Sequence, residues 1–272
     1  MMRAAVSAVG FTDPNPSWNG YAGTATAERA PGELPLELIP AKLADIALVV
    51  DDDRDVRPRA RSEAVSRAAN VILAAAALLI LSPVLLLIAI AIRLTSRGPA
   101  LYTQTRVGVD RRYHRASTYD RRGFDHGGQL FEIYKFRTMH VDAESDGREV
   151  WATRSDPRVT TVGRFLRRTR IDELPQLYNV LRGDMNLVGP RPERPTIFAR
   201  LRQDIPEYAM RQRVRPGITG WAQINLAYDA CLDDVRNKVK YDLEYLRRQS
   251  LAEDLRIMSM TLPVMLFRRG SC

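Results

Sequence analysis

The stretch VILAAAALLILSPVLLLIAIAI, Val71–Ile92, decides how this chain is organised. Every residue in it is apolar except Ser82 and Pro83. As a helix it reaches about 33 Å at roughly 1.5 Å per residue, enough for the hydrocarbon core of a bilayer. Pro83 stands near the midpoint, where its ring clashes with the preceding turn and its missing N–H leaves a carbonyl free. Ser82 beside it can satisfy one of the groups so released. Basic residues flank both ends: Arg54, Arg57, Arg59, Arg61 and Arg67 before, Arg93 and Arg97 after. Arginine stays on the cytoplasmic side of a membrane. A helix that enters, bends at Ser82–Pro83 and returns therefore suits both flanks. A kinked single span is the alternative, and a buried helix of a soluble domain fits worse because the segment has no polar face.

Working outward, residues 1–60 carry Pro14, Pro16, Pro31, Pro35 and Pro40 among Gly, Ala and Thr, which predicts a flexible N-terminal tail. Its opening apolar run is too short for a secretory signal. Leu43–Val50 suits one short strand or helix, closed by Asp51-Asp52-Asp53. Residues 61–97 form the membrane segment and residues 98–272 the cytoplasmic domain. Beyond Gly98-Pro99, strands are predicted over Leu101–Val107 and Leu130–Thr138, with an exposed loop between them at Asp110–Gly128. Short helices follow at Val162–Arg168 and Glu173–Leu181. A longer one covers Asp233–Arg248, with Val235, Val239, Leu243 and Leu246 on one side. The apolar, Met-rich Leu251–Phe267 suits either a membrane interface or the domain core.

The 272 residues hold 41 Lys and Arg against 32 Asp and Glu, a formal charge of +9. That balance favours anionic partners: nucleic acid, acidic lipid headgroups or phosphorylated substrates. A charged fraction of 27% and a mean hydropathy of −0.26 exclude a protein of many spans. The cysteines, Cys231 and Cys272, form no CxxC pair, and His114, His126 and His140 lack metal-ligand spacing. Zinc and a disulfide framework are not indicated. Any metal should be a hard cation held by carboxylate and phosphate oxygens.

Three clusters combine charge with backbone-setting residues. In the first, Arg164, Arg167, Arg168 and Arg170 precede Asp172-Glu173-Leu174-Pro175. Thr169 as a cap and Pro175 in the opening turn would set both carboxylates near a helix start. Simple capping beside a solvated basic face explains the same residues. In the second, Gly189-Pro190-Arg191-Pro192-Glu193-Arg194-Pro195 fixes Arg191 and Arg194 on a stiff loop able to grip a phosphate, or merely makes a rigid turn. In the third, Tyr134-Lys135-Phe136-Arg137-Thr138, strand alternation would place Lys135 and Arg137 on one face, around an anion or in solvent.

In this order behind a broken apolar helix, the clusters carry a resemblance. The runs are LILSPVLLLIAIAIRLTSRGPALYTQTRVG, FEIYKFRTM, SDPRVTTVGRFLRRTRIDELPQLYNVLRGDMNLVGPRPERP and VRPGITGWAQIN. From Ser66 to about Gly270 the chain resembles the bacterial sugar transferases, monotopic polyprenyl-phosphate phosphoglycosyl transferases. PRPERP with Tyr228-Asp229 is similar to the branch that starts exopolysaccharide assembly. Larger members carry spanning helices ahead of this unit, so the chain looks like the compact form.

The resemblance implies an α/β, mostly helical (α+β) membrane-associated catalytic domain with a re-entrant helix-break-helix at Ser82-Pro83 and interfacial amphipathic helices. It implies that Asp172 is the nucleophile, that Glu173 holds Mg²⁺, and that Arg167 and Arg191 bind phosphate. The partners implied are a UDP-sugar, undecaprenyl phosphate and anionic membrane lipid, at the cytoplasmic face of the bacterial inner membrane. The sugar is not readable, and homo-oligomerisation is left open. A catalytically retired scaffold of the same fold is the competing reading, against which the intact Asp-Glu pair speaks. Nucleic acid is not expected, because aromatic residues, 7% of the chain, do not interleave with the basic clusters.

Overall fold

A computed structural model describes residues 55–111, 125–141, 143, 156–226 and 231–267. The Leu43–Val50 element, most of the tail and of the Asp110–Gly128 loop, and Tyr228-Asp229 lie outside the described residues. Helix α1, Glu63–Thr95, is followed by strands β1, Leu101–Val107, and β2, Leu130–Phe136. Next come α2, Thr161–Thr169, a 3₁₀ turn at Ile171–Glu173, α3, Gln176–Arg182, and strand β3, Asn186–Val188. After the proline-rich loop lie α4, Pro195–Asp204, a 3₁₀ segment at Pro206–Arg213, and β4, Gly217–Thr219. Three helices finish the chain: α5, Trp221–Asn225, α6, Leu232–Arg248, and α7, Leu251–Phe267. The sheets are small: β1 and β2 pair antiparallel, Leu101 opposite Phe136, and β3 pairs parallel with β4. The mixed, mostly helical class is as read from the sequence.

Ser82-Pro83, where the sequence predicts the bend, lies inside α1, whose backbone hydrogen bonding is helical from Glu63 to Thr95. The reason is local. Pro83 cannot donate to the carbonyl of Leu79, four residues back, and the Ser82 hydroxyl donates to that same carbonyl at 2.8 Å. The helix thereby keeps its acceptor satisfied across the proline.

One stripe of α1 faces protein. Ser66, Asn70 and Ala74 are buried in its first half and Ile92 near its end. Ala74, with Ala77 and Leu78 beside it, packs with Phe131, Ile133, Leu177, Val180 and Met185. Ile92, with Leu85, Ile88 and Ala89, packs with Phe136 and Leu166. Each fully buried Leu, Ile or Phe in such clusters contributes roughly 1.5–3 kcal/mol. Both ends of α1 are tethered to the same domain. Arg67 donates to the carbonyls of Val180 and Leu181, and Arg137 to those of Arg97 and Ser96. The opposite face is bare hydrocarbon: Leu79, Ile80 and Leu94 are 77%, 74% and 81% exposed. It is the one described helix long and apolar enough to cross a membrane.

The apolar series Val235, Val239, Leu243 and Leu246 is buried along α6, as its spacing predicts. Helix α7 packs on the domain through Asp254 and Ile257, while Leu251 and Leu255 stay exposed. Its first half therefore belongs to the core, the second of the two places its sequence allows.

Candidate active site

The site is assembled by one tight reversal. Helix α2 approaches the chain beyond β2 so closely that a Cβ on Gly163 would lie 2.0 Å from the Thr138 carbonyl oxygen, so only glycine fits. The reversal follows at Arg170, whose φ of 55° is left-handed, a conformation costing a non-glycine residue on the order of 1 kcal/mol. Thr169 does not cap the next helix as its sequence suggested. Its hydroxyl bonds back to the Phe165 carbonyl at 2.9 Å, inside α2. The 3₁₀ turn then presents Asp172 and Glu173 inward, and both are buried.

Glu173 is held on two sides. Lys135 on β2 reaches Oε1 at 2.9 Å, and Arg191 spans both oxygens, with its second arm at 3.2 Å. Burial pushes the Glu173 carboxyl up, but Arg191 and Lys135 outweigh it and hold it well below the usual carboxylate range. Asp172 is treated differently. Burial, then the neighbouring Glu173 charge, push it up to about 6 against the opposing pull of Lys135, Arg191 and Arg167. Two adjacent carboxylates thus differ in proton affinity because the cations are shared unequally. Burial also pushes the Lys135 ammonium down, against the pull of Glu173.

Of the residues expected to act together, the structure brings Asp172, Glu173, Lys135, Arg191 and Arg167 into one field. Arg167 Nε donates to Thr138 Oγ1 at 2.9 Å, and its charge reaches Asp172. Arg194 ends the proline-rich loop, its carbonyl accepting from the Phe198 amide at 2.9 Å and its charge adding to the repulsion at Arg106. Arg137 stands apart from this field: β2 ends at Phe136, and the buried Arg137 guanidinium caps the end of α1, with Ser96 O and Oγ at 2.9 and 2.8 Å. Ser82 and Pro83 lie within α1, where they shape the helix.

Several residues that position the site gave no signal in the sequence. Asn179, fully buried, accepts from the Tyr134 amide at 3.0 Å and donates to the Glu132 carbonyl at 2.7 Å, so it acts as a third strand along β2 and sets the height of Lys135. Arg106 donates to the Pro192 carbonyl at 3.0 Å, and the Val107 amide to Glu193 O at 2.9 Å. Arg211 donates to the Arg191 carbonyl at 3.0 Å. All four fasten main chain, and a sequence does not show which carbonyl a side chain will meet.

A buried carboxylate pair among guanidinium and ammonium groups, beside a helix with an apolar outer face, is a site suited to phosphate-bearing ligands at a lipid surface. The chain belongs to the bacterial sugar transferase family, whose model matches residues 61–268. It is 44% identical over 199 residues to the undecaprenyl-phosphate glucose phosphotransferase of Komagataeibacter xylinus, covering 71% of this chain and 34% of that one. It is 40% identical over 207 residues to the UDP-N-acetylgalactosamine-undecaprenyl-phosphate N-acetylgalactosaminephosphotransferase of Aeromonas hydrophila, covering 76% and 45%. It is 42% identical to the UDP-glucose:undecaprenyl-phosphate glucose-1-phosphate transferase of Caulobacter vibrioides (strain ATCC 19089 / CIP 103742 / CB 15), with 77% and 72% covered. The chain thus spans between a third and a half of the length of the first two relatives.

Proposed function

We propose that this chain transfers a sugar-1-phosphate from a UDP-sugar to undecaprenyl phosphate, with release of UMP, through a phosphosugar carried on Asp172. The observation that carries the reading is the unequal pair: Glu173 locked by Lys135 and Arg191, and Asp172 beside it without such a lock. A carboxylate that must attack phosphorus needs a free oxygen and a cationic surrounding that offsets repulsion between anions. An Asp172 oxygen attacks the β-phosphorus, the bond from that phosphorus to the bridging oxygen breaks, and UMP leaves. A phosphate oxygen of the lipid then attacks the same phosphorus and returns the Asp172 carboxylate. Arg191 and Arg167 hold the diphosphate oxygens, and Arg194 and Lys135 extend the cationic wall.

Mg²⁺ fits the donor set. Among the described residues no third acidic, His or Cys ligand joins the pair, but magnesium is commonly held by one or two carboxylates together with substrate phosphates and water. Among the described residues Glu173 Oε2 accepts one bond, at 3.2 Å, which leaves a lone pair to offer. Glu173 would hold the ion, which when bound neutralises developing charge on the diphosphate.

The membrane part of the proposal is a re-entrant α1, with the domain on the cytoplasmic side of the inner membrane. It is supported by the two tethers, since Arg67 and Arg137 fasten opposite ends of α1 to one domain. A span through the bilayer would carry those ends to opposite sides. Anionic lipid adds about 1 kcal/mol for each near-surface Lys or Arg. The relatives are named for glucose and for N-acetylgalactosamine, so the sugar is left open, within the first membrane step of exopolysaccharide or related glycan synthesis. The test is purified protein with Mg²⁺, undecaprenyl phosphate and a panel of UDP-sugars. UMP release and a phosphosugar adduct on residue 172 are expected, and full activity in Asp172→Asn would overturn the assignment.

A further inference from the structure

A charged pair behind the proline-rich loop has no place in the chemistry above. Arg211, fully buried in the 3₁₀ segment, donates from Nε to Asp242 Oδ2 on α6 at 2.6 Å. Its face lies over the Tyr208 ring at 4.7 Å. A buried ion pair adds little to stability over apolar residues of the same shape, so the pair alone does not account for a guanidinium here. The third contact does. Arg211 Nη2 donates to the carbonyl of Arg191 at 3.0 Å. Arg191 is the residue whose own guanidinium spans both oxygens of Glu173.

We propose that Arg211, clamped by Asp242, is a positioning residue that fixes the main chain of Arg191 so that its side chain meets Glu173 and the substrate phosphates. The fork of a guanidinium matters: one nitrogen is held by Asp242 while another reaches sideways to the carbonyl. A lysine can keep the ion pair but cannot hold both partners in one plane. The neighbouring carbonyls of the loop are held by bonds that do not touch residue 191: Gly217 N to Pro190 O at 3.0 Å, Arg106 Nη1 to Pro192 O at 3.0 Å and Val107 N to Glu193 O at 2.9 Å. Arg211 is the guanidinium that meets the carbonyl of Arg191 itself. The role in substrate binding rests on the proposed function; the role in holding the loop does not.

The experiment compares full-length wild type, Arg211→Lys, Arg191→Ala and the double variant. Binding of UDP-glucose and UDP-N-acetylgalactosamine is measured by calorimetry, and hydrogen exchange is followed across residues 189–194. For Arg211→Lys we expect a melting temperature close to wild type, several-fold faster exchange in that loop but not in α6, and a Kd for the nucleotide sugar about tenfold weaker. In the Arg191→Ala background the same change should weaken binding no further, because its route is already cut. A purely structural residue would lower the folded fraction and leave the Kd of the folded molecules alone. Wild-type Kd and loop exchange in Arg211→Lys would overturn the proposal, as would additive effects in the double variant. If Arg211→Lys does not fold, Arg211→Met with Asp242→Leu removes the same bond while filling the space, and the same outcomes apply. If the wild type binds neither nucleotide sugar yet the loop loosens as expected, the functional reading falls and the positioning role stands.

Discussion

Two of the buried charge clusters in this molecule are balanced differently. At Arg211 and Asp242 a cation bonds directly to a carboxylate, with side-chain exposures of 0% and 3%. At Asp172 and Glu173 two carboxylates stand side by side, and the nearest cations, Lys135 and Arg191, both bond to Glu173. The balanced pair is a fastening. The unbalanced one keeps a carboxylate of raised proton affinity beside a locked one, which is of no use to a scaffold and of direct use to a nucleophile. The contrast teaches that burial alone does not set a carboxylate's proton affinity: how counter-charge is shared around it does as well.

The largest effect should come from breaking the unbalanced side. Asp172→Asn should lower UMP release by more than about a thousandfold. The same change should stabilise the fold. Burial raises Asp172 from 3.8 to about 6; between those values the native chain binds more protons than the unfolded one, so stability falls as pH rises. Above pH 6 that cost is complete, on the order of 3 kcal/mol at roughly 1.4 kcal/mol per unit. D172N should therefore melt higher than wild type at pH 8, with the gap closing toward pH 4. A variant that is inactive and also less stable at pH 8 would contradict the account of why Asp172 titrates high.

Breaking the balanced side should cost stability instead. Asp242→Ala takes the bonded carboxylate from a buried guanidinium, and denaturant titration should register a loss of about 3–5 kcal/mol. The pH profile sharpens the comparison. Attack requires the ionised carboxylate, so kcat/KM should fall about tenfold per pH unit below roughly pH 6. Arg167→Gln removes a cation that lowers Asp172, and should move that limb upward by less than about one unit. An unmoved limb would separate Arg167 from the pair. The smallest effect is expected at Arg137, whose bonds cap α1. Arg137→Ala should lower stability by about 1–2 kcal/mol, visible in the melting temperature before it is visible in KM. A tenfold rise in KM at unchanged stability would return Arg137 to the phosphate-binding set.

Much of this was legible one residue at a time. β1 has the bounds its alternation predicts, and α2 extends the predicted helix by one residue at each end. Where reading failed, a tertiary contact intervened. β2 stops two residues early because the Arg137 side chain turns to the end of α1. The helix expected from Glu173 starts regularly only at Gln176, because Arg170 reverses the chain first. Thr169 looked like a cap because its hydroxyl was free to choose, and inside α2 it found a nearer carbonyl.

By itself the sequence determined the apolar helix and its proline, the basic surplus and the order of the charged clusters, and its motifs carried the resemblance to the family. The first three are properties of composition and spacing, which need no partner. Only the tertiary structure decided which cation serves which carboxylate, that Lys135 and Arg191 converge on Glu173 while Arg137 goes elsewhere, and that Arg211 holds the loop from behind. Such pairings join residues 18 to 40 positions apart in the chain, and no local pattern records which distant groups folding will bring within about 3 Å.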